Sequence, residues 1–232
     1  MRLIYFLLIG LSISVSGQMR YPTGVINVNT AVGGIVEQIQ PDKAPALNAL
    51  YLFENWVPAT FIIRNDLGAF ENPIRYDILN HQIEIKDGTA LKVLEGNFIE
   101  SLNFKSPRGD GENVFIITNN AFEQPTSYPI GAYEVLNEGD ANLLKYYTFE
   151  RFEAGYNPAL DVGAKEPRLE RKSEYYIMSN RVPTLLPTSK KKIIELLNSK
   201  YSGIKETIKS NRWNVKDEAD LKQVVNYINN NM

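Results

Sequence analysis

The 232-residue chain has no cysteine, and this excludes disulfides, thiolate metal sites and a cysteine nucleophile. Its 25 lysine and arginine residues nearly balance its 27 aspartate and glutamate residues, so the net charge of −2 provides no strong field that would attract nucleic acid or anionic lipid. We therefore expect stability from ordinary packing, no nucleic-acid partner, no metal and no cofactor.

The first residues have the layout of a cleavable secretory signal. Arg2 supplies a positive charge, residues 3–11 form an apolar run shorter than the roughly 20 residues that span a bilayer, and small residues follow up to Gly17. An N-terminal strand is the alternative interpretation. We predict a signal peptide over 1–17 and an exported mature chain that begins near Gln18, in the periplasm or, alternatively, outside the cell. A lipoprotein is not expected, because no cysteine stands at the cleavage site, and no later stretch has the length of a transmembrane segment.

Residues 18–48 mix glycine, proline and short apolar runs, and we interpret them as an N-terminal linker or an irregular entry strand. From about 49 to 148, apolar and polar residues alternate with a period of two, which is typical of strands, and a late strand follows before the body, placed at 49–186, ends. The alternating stretches are 60–64, 74–78, 82–86, 91–94, 98–104, 114–118, 133–139, 142–149 and 173–178. Tight turns such as Asp87-Gly88 join them, because these residues accept positive φ angles. The pattern predicts an antiparallel β-meander as the body of the protein.

After Pro187 the pattern takes a helical period. Apolar residues at helical spacing are Ile193, Ile194 and Leu197, then Ile204 and Ile208, then Leu221, Val224, Val225 and Ile228. Thr188 or Ser189 can cap the first helix, and Asn214 or Asp217 can cap the last. Such short helices are not stable alone, so residues 187–232 are predicted to form a tail of two or three helices packed on the body. The fold class expected is α+β, mainly β.

Three stretches combine strands and helices in a recognisable order: "LYLFENWVPATFIIRNDLGAFENPIRYDILNHQIEIK", "YEVLNEGDANLLKYY" and "IKETIKSNRWNVKDEADLKQVVNYIN". In these stretches the chain resembles a group of uncharacterised secreted proteins from Bacteroidetes, and the resemblance covers most of 49–232. Its recurring residues are Trp56, Tyr76, Asp77, Glu84 and Gly139. The resemblance implies export and a β-rich body with a lysine-rich helical ending, and it carries over no catalytic residue.

His81, the only histidine, stands beside Asn80 between the strands 74–78 and 82–86. Asparagine and histidine tolerate left-handed backbone angles, so the position is typical of a hairpin corner. A general base would need a partner and a cleft as well. We interpret His81 as an exposed turn residue whose replacement changes stability little.

Two further patterns match part of a known catalytic or metal-binding motif, but the rest of each motif is missing. Ser189 with Lys192, and Ser202 with Lys205, have the Ser-x-x-Lys spacing of penicillin-recognising enzymes, yet no Lys-Thr-Gly strand follows. The loop 108–113 offers carboxylates without the calcium-binding EF-hand pattern. We interpret the first as coincidence and the second as a plain turn, and we assign no catalytic residue.

Aromatic residues are dense near the end of the predicted body. The candidate binding residues are Tyr146, Tyr147, Phe149, Phe152, Tyr156, Tyr175 and Tyr176. Exposed aromatic side chains on a sheet can stack on sugars or hold a partner protein. The alternative is that aromatic residues simply favour strands and fill a core.

Two functions remain open at this point. The first is an exported, non-enzymatic protein, an accessory or scaffold subunit, that binds another component of the cell envelope, either a protein or a glycan. The alternative is a hydrolase that acts on a polysaccharide or cell-wall substrate through paired carboxylates, whose separation a sequence does not reveal.

Overall fold

One antiparallel sheet followed by three helices makes up the part of the chain that the structure describes, and this confirms the predicted α+β, mainly β, fold. The computed structural model describes residues 36–39, 50–64, 68–107, 109, 111–155, 162–163 and 167–231. The predicted signal peptide and Tyr156 lie outside these ranges.

Eleven strands and three helices are assigned within the described residues. The strands are β1 Val36–Ile39, β2 Val57–Ile63, β3 Ala69–Asp77, β4 Gln82–Asp87, β5 Ala90–Glu95, β6 Ile99–Lys105, β7 Asn113–Thr118, β8 Ala132–Asn137, β9 Ala141–Phe152, β10 Arg168–Ser179 and β11 Val182–Leu185. The helices are α1 Lys190–Lys200, α2 Ile204–Ser210 and α3 Glu218–Asn231. β1 lies in 18–48, for which a linker and an entry strand were the two alternatives, whereas the sequence pattern did not predict β11; each is only four residues long.

The sheet consists of two meanders joined side by side. The strand order is β1-β5-β4-β3-β2-β6-β7-β8-β9-β10-β11, and every named pair is antiparallel. β2 therefore pairs both with β3, its neighbour in the chain, and with β6, the first strand of the second meander.

A short link between β5 and β6 forces the sheet to curl. These strands stand four positions apart, which is about 19 Å in a flat sheet with strands about 4.8 Å apart. Only the 3₁₀ turn Gly96–Phe98 joins them, and the chain from Glu95 to Ile99 reaches at most about 14 Å. The first meander is therefore bent, and the Gly96 N–H donates to the His81 carbonyl at 2.6 Å across the bend.

Three clusters of buried side chains stabilise the described part of the chain. The largest fills the curled meander and includes Phe61, Phe70, Ile83, Leu94, Leu102 and Phe104. A second joins the sheet to the helices through Leu143, Ile177, Leu197, Ile208, Leu221 and Val225. A third is rich in aromatic residues and contains Ile117, Phe122, Tyr133, Leu144, Tyr146 and Tyr176. The helical tail thus packs on β9 and β10 through apolar side chains.

Both faces of β4 are covered. The alternation of Ile83 and Ile85 with Glu84 does not reveal this, because alternation is typical of a strand with one exposed face. Glu84 is buried and accepts hydrogen bonds from the Tyr51 hydroxyl at 2.6 Å and from Arg75 Nε at 3.1 Å. The Arg75 guanidinium in turn lies 4.2 Å from the centre of the Tyr51 ring and 4.4 Å from that of Trp56. The segment before β2 is fastened to the sheet by this buried, hydrogen-bonded charge pair.

The capping residues of the helices are decided by the structure. Asp217 Oδ1 accepts from the N–H groups of Ala219 and Asp220 at 3.0 and 3.1 Å, so Asp217, rather than Asn214, caps α3. Ser189 occupies the N-cap position of α1, but its side chain makes no capping hydrogen bond. Among the described residues, no helix has the length and apolar character needed to cross a membrane.

Candidate functional site

Three of the predicted binding residues are buried and do not form an exposed surface. Tyr146, Tyr147 and Tyr176 retain 7%, 3% and 4% of their accessible surface. Tyr146 donates to the Ile130 carbonyl at 3.2 Å, and Tyr147 donates to Glu134. For these three tyrosines the burial favours the alternative interpretation, in which aromatic side chains fill the interior and find partners for their hydroxyl groups there.

The other aromatic candidates are only partly accessible. Phe149, Phe152 and Tyr175 are half-buried, and Tyr156 lies outside the described residues. Tyr175 donates to Glu218 of α3 at 2.8 Å, and burial followed by that hydrogen bond raises the pKa of its hydroxyl. Phe152 lies beneath the cations Arg168 and Lys172. Binding by these side chains stays a prediction.

His81 forms a turn, as predicted, but it is not an exposed corner. Its φ of 51° is left-handed, and it ends a four-residue connection from 78 to 81. The side chain is half-buried, and its Nδ1 atom is buried without a hydrogen-bond partner. A side chain at Gly131 would touch both His81 and Tyr146, so the imidazole packs against Gly131. The glycine is required there by this close approach.

The two Ser-x-x-Lys patterns do not form reactive pairs. Ser189 and Lys192 are both exposed at the start of α1, and Ser202 and Lys205 are both exposed around the start of α2. No hydrogen bond joins either pair among the described residues. In the loop 108–113, Gly109 and Gly111 have positive φ and the Ser106 N–H donates to the Glu112 carbonyl, a turn geometry.

One carboxylate pairs with a cation on the helix-facing side of the sheet, and a second carboxylate stands on the neighbouring strand. Glu134 of β8 stands opposite Lys145 of β9, and Glu218 of α3 accepts from Lys145 Nζ at 2.7 Å. Tyr147 donates to Glu134, and Tyr175 donates to Glu218. Neither carboxylate lines any of the four cavities described in the structure. The group therefore anchors α3 to the sheet.

The largest described cavity is a groove of about 1030 Å³ where strand hairpins meet the helices, which we call the polar groove. It is bordered by the β8–β9 turn, the β10–β11 turn, the end of α1 and the last turns of α3. Its lining residues are 139–142, 178–181, 200–202, 228 and 229. Amides and hydroxyls predominate, from Asn142, Ser179, Asn180, Tyr201, Ser202 and Asn229. A volume at the upper limit of ordinary small-molecule sites leaves room for an extended polar ligand.

The polar groove includes a backbone conformation that is costly for its sequence. Asn180 and Arg181 form a two-residue hairpin loop with φ of 51° and 62°. Such a loop favours Asn-Gly, and arginine rarely adopts a positive φ. Arg181 is held by its Nε, which donates to the Ala121 carbonyl at 2.6 Å, and by its carbonyl, which accepts from Glu123. Strained residues that the surroundings hold in place are concentrated at functional sites.

Charge in the groove is sparse and mixed. The charged lining residues are Asp140, Arg181 and Lys200. Lys200 Nζ donates to the Thr184 hydroxyl at 2.8 Å, and the Ser179 and Tyr201 hydroxyls are 3.2 Å apart. The groove can therefore offer both donors and acceptors to a polar ligand, together with one carboxylate and two cations. The lining contains no pair of carboxylates, which acid–base hydrolysis of a glycoside would need.

The sequence analysis missed this groove because four separate parts of the chain contribute to it. The one local signal was the Asn180-Arg181 turn, which the apolar pattern ending at Met178 did not single out. No family model matches the chain, and no curated protein or solved structure is detectably similar to it.

Proposed function

We propose that the protein is an exported, non-enzymatic binding protein that holds a glycan of the cell envelope in its polar groove. The observation that carries this proposal is the strained Arg181 at the wall of the largest cavity. Export follows from the signal-like residues 1–17, and the resemblance to secreted Bacteroidetes proteins agrees with it.

The chemistry of the groove favours a glycan over an apolar ligand. Hydroxyl-rich sugars need side chains that both donate and accept, and amides and hydroxyls do both. Asn142, Asn180, Ser202 and Tyr201 supply such groups in the lining. Arg181 and Lys200 add cations that suit an acidic sugar. The volume of the groove is compatible with several sugar units because it is at the upper limit of single small-molecule sites.

Binding is tested with oligosaccharides released from the envelope of the bacterium that encodes the protein, by titration calorimetry. Ser202 is exposed, lines the groove and makes no hydrogen bond that the fold needs. We expect Ser202→Trp to fill the groove and abolish binding. Thr126→Trp is the matched control, because Thr126 is exposed and lies outside the four described cavities.

The proposal is contradicted if Ser202→Trp binds the oligosaccharides as tightly as the unaltered protein, or if no envelope oligosaccharide binds. Export is tested separately by N-terminal sequencing of the protein recovered from the envelope. The expected first residue is Gln18, or Gly17 for cleavage after Ser16. A chain that still begins at Met1 would remove the export part of the proposal.

A further inference from the structure

A second hollow, of about 420 Å³, lies between α1 and α2 and has only positive charges in its lining. We call it the basic hollow. Its lining residues are Lys190, Ile194, Lys205, Ile208, Lys209, Arg212 and Trp213. A local cluster of four cations differs from the rest of the protein, since the chain as a whole carries a net charge of −2.

Two helices bring these cations together. Lys190 is the first residue of α1, while Lys205 and Lys209 lie one turn apart on α2 and so share a face. Arg212 follows the end of α2 with a φ of 59°, a left-handed conformation. The start of α1 therefore lies beside the end of α2, and residues far apart in the sequence point into one hollow.

The four cations lack carboxylate partners within the described part of the chain. No described aspartate or glutamate oxygen lies within 4.0 Å of any of these head groups, whereas the neighbouring Lys191 pairs with Glu195 at 3.9 Å. Like charges at Lys205 and Lys209, four residues apart on a helix, repel each other. Such a cluster weakens the fold slightly, and an anionic surface outside the protein would remove the repulsion.

The floor of the hollow is apolar. Ile208 is buried, and Ile194 and Trp213 are half-buried. The Trp213 ring packs edge-on against Tyr227, with 6.3 Å between ring centres, which fixes its orientation. A tryptophan beside a ring of lysine and arginine is typical of segments that lie at the interface of a bilayer with water.

We propose that the basic hollow docks the protein on an anionic lipid surface, with phosphate head groups among the four cations and Trp213 at the interface. Charge complementarity selects this occupant, because each lysine or arginine near an anionic bilayer strengthens binding about fivefold. Lys190, which lines the basic hollow, and Lys200, which lines the polar groove, stand at opposite ends of α1, about 15 Å apart along its axis. The two cavities share no lining residue, so the two sites can be tested independently.

The test uses sedimentation with vesicles of phosphatidylcholine alone or with about one third phosphatidylglycerol. The protein and its variants carry the same N-terminus, so any contribution of the first residues to vesicle binding is the same in all of them. Binding to the uncharged vesicles measures that contribution. The variant is Lys205→Gln with Lys209→Gln. The control is Lys86→Gln with Lys105→Gln, which makes the same change of net charge at exposed lysines on the sheet.

We expect the unaltered protein and the control to bind the anionic vesicles, and the Lys205–Lys209 variant to bind about 25-fold more weakly. Binding should also fall as salt is added, because exposed charges are screened. Circular dichroism and thermal melting check that the variants are folded. Equal binding by the two double variants would overturn the proposal, and so would equal binding to charged and uncharged vesicles. A change in Trp213 fluorescence on addition of inorganic phosphate, without any vesicle binding, would assign the hollow to a free anion. That result would also overturn the proposal.

Discussion

Asn229, near the end of α3, forms two hydrogen bonds with the backbone of Ala141 at the start of β9. Asn229 Oδ1 accepts from the Ala141 N–H, and Asn229 Nδ2 donates to the Ala141 carbonyl, both at 2.8 Å. The β8–β9 pairing ends at Asn137 and Leu143, so Ala141 has no strand partner on that side. The amide takes the place of a strand, and Gly139, with a φ of 155°, leaves room for it.

Replacing this amide by a carboxylate should destabilise the protein. Asn229→Asp keeps the acceptor for the Ala141 N–H but leaves the Ala141 carbonyl facing an oxygen, and an unsatisfied, part-buried group costs about 1–3 kcal/mol. The measurement is the free energy of urea unfolding. Asn230→Asp is the control, because Asn230 is exposed and has the same position near the end of the helix. Equal losses in the two variants would show that the double hydrogen bond contributes nothing.

Glu218 should contribute a stability that depends on acid pH. Burial raises the pKa of this carboxyl, but hydrogen bonds from Lys145 and Tyr175 outweigh it and lower the pKa below its ordinary value of 4.5. The unfolded chain therefore binds a proton at higher pH than the folded protein does, and the contribution is complete above pH 4.5 and lost as the pH falls through the folded pKa.

The comparison that isolates this effect is Glu218→Gln against the unaltered protein. At neutral pH we expect the variant to be less stable by up to about 1 kcal/mol, since the pair is partly exposed. Near pH 3 the difference should shrink. Urea titrations at both pH values measure it, and a difference that is the same at both would contradict the ion-pair assignment.

His81 should make stability depend on pH near neutrality. Burial lowers the pKa of the imidazole below 6.5, and Asp77 opposes this only in part. The unfolded chain takes up the proton first as the pH falls, so the folded protein loses stability below pH 6.5. His81→Asn keeps a residue that accepts positive φ and should abolish this part of the pH dependence. Melting temperatures at about pH 8 and pH 5.5 are compared for the unaltered protein and the His81→Asn variant. The same change of melting temperature with pH in both proteins would disprove the role of His81.

Arg181 offers a way to separate stability from binding. In Arg181→Gly the positive φ becomes favourable, while the hydrogen bond to Ala121 is lost, so we expect the free energy of unfolding to change by less than about 1 kcal/mol. The same change removes a cation from the polar groove and should weaken glycan binding. For one preparation of the variant, calorimetry measures glycan binding and urea unfolding measures the free energy of unfolding. Unchanged binding would remove Arg181 from the site.

The sheet should need the helical tail for its stability. Ala141, Leu143 and Ile177 are buried in one cluster with helix residues, so a chain that ends at Pro187 exposes them. We expect that truncated chain to aggregate or to melt at a lower temperature. Val225→Ala should cost about 1–3 kcal/mol, and the exposed Gln223→Ala almost nothing. A truncated chain that stays soluble and melts at the full-length temperature would identify the tail as an independent arm.

The sequence alone was sufficient for most of the local architecture. Alternation with period two in stretches such as 82–86 and 114–118 predicted strands, and the stripe of Leu221, Val224, Val225 and Ile228 predicted the last helix, because each pattern places apolar groups on one face. Turn chemistry did the same at Asp87-Gly88. Strands, helices and tight turns of this kind depend on residues that are close in the sequence, so the sequence predicts them directly.

Tertiary structure decided which surfaces are inside and which residues meet. Tyr146 and Tyr147 belong to a strand with both faces covered, so their exposure depended on elements distant in the chain. The polar groove collects residues from 139 to 229, and the basic hollow collects cations from 190 to 212, whose charges cancel against acidic residues in any sequence-wide sum. Long-range packing places such residues side by side, because no local pattern in the sequence relates segments that are far apart in the chain.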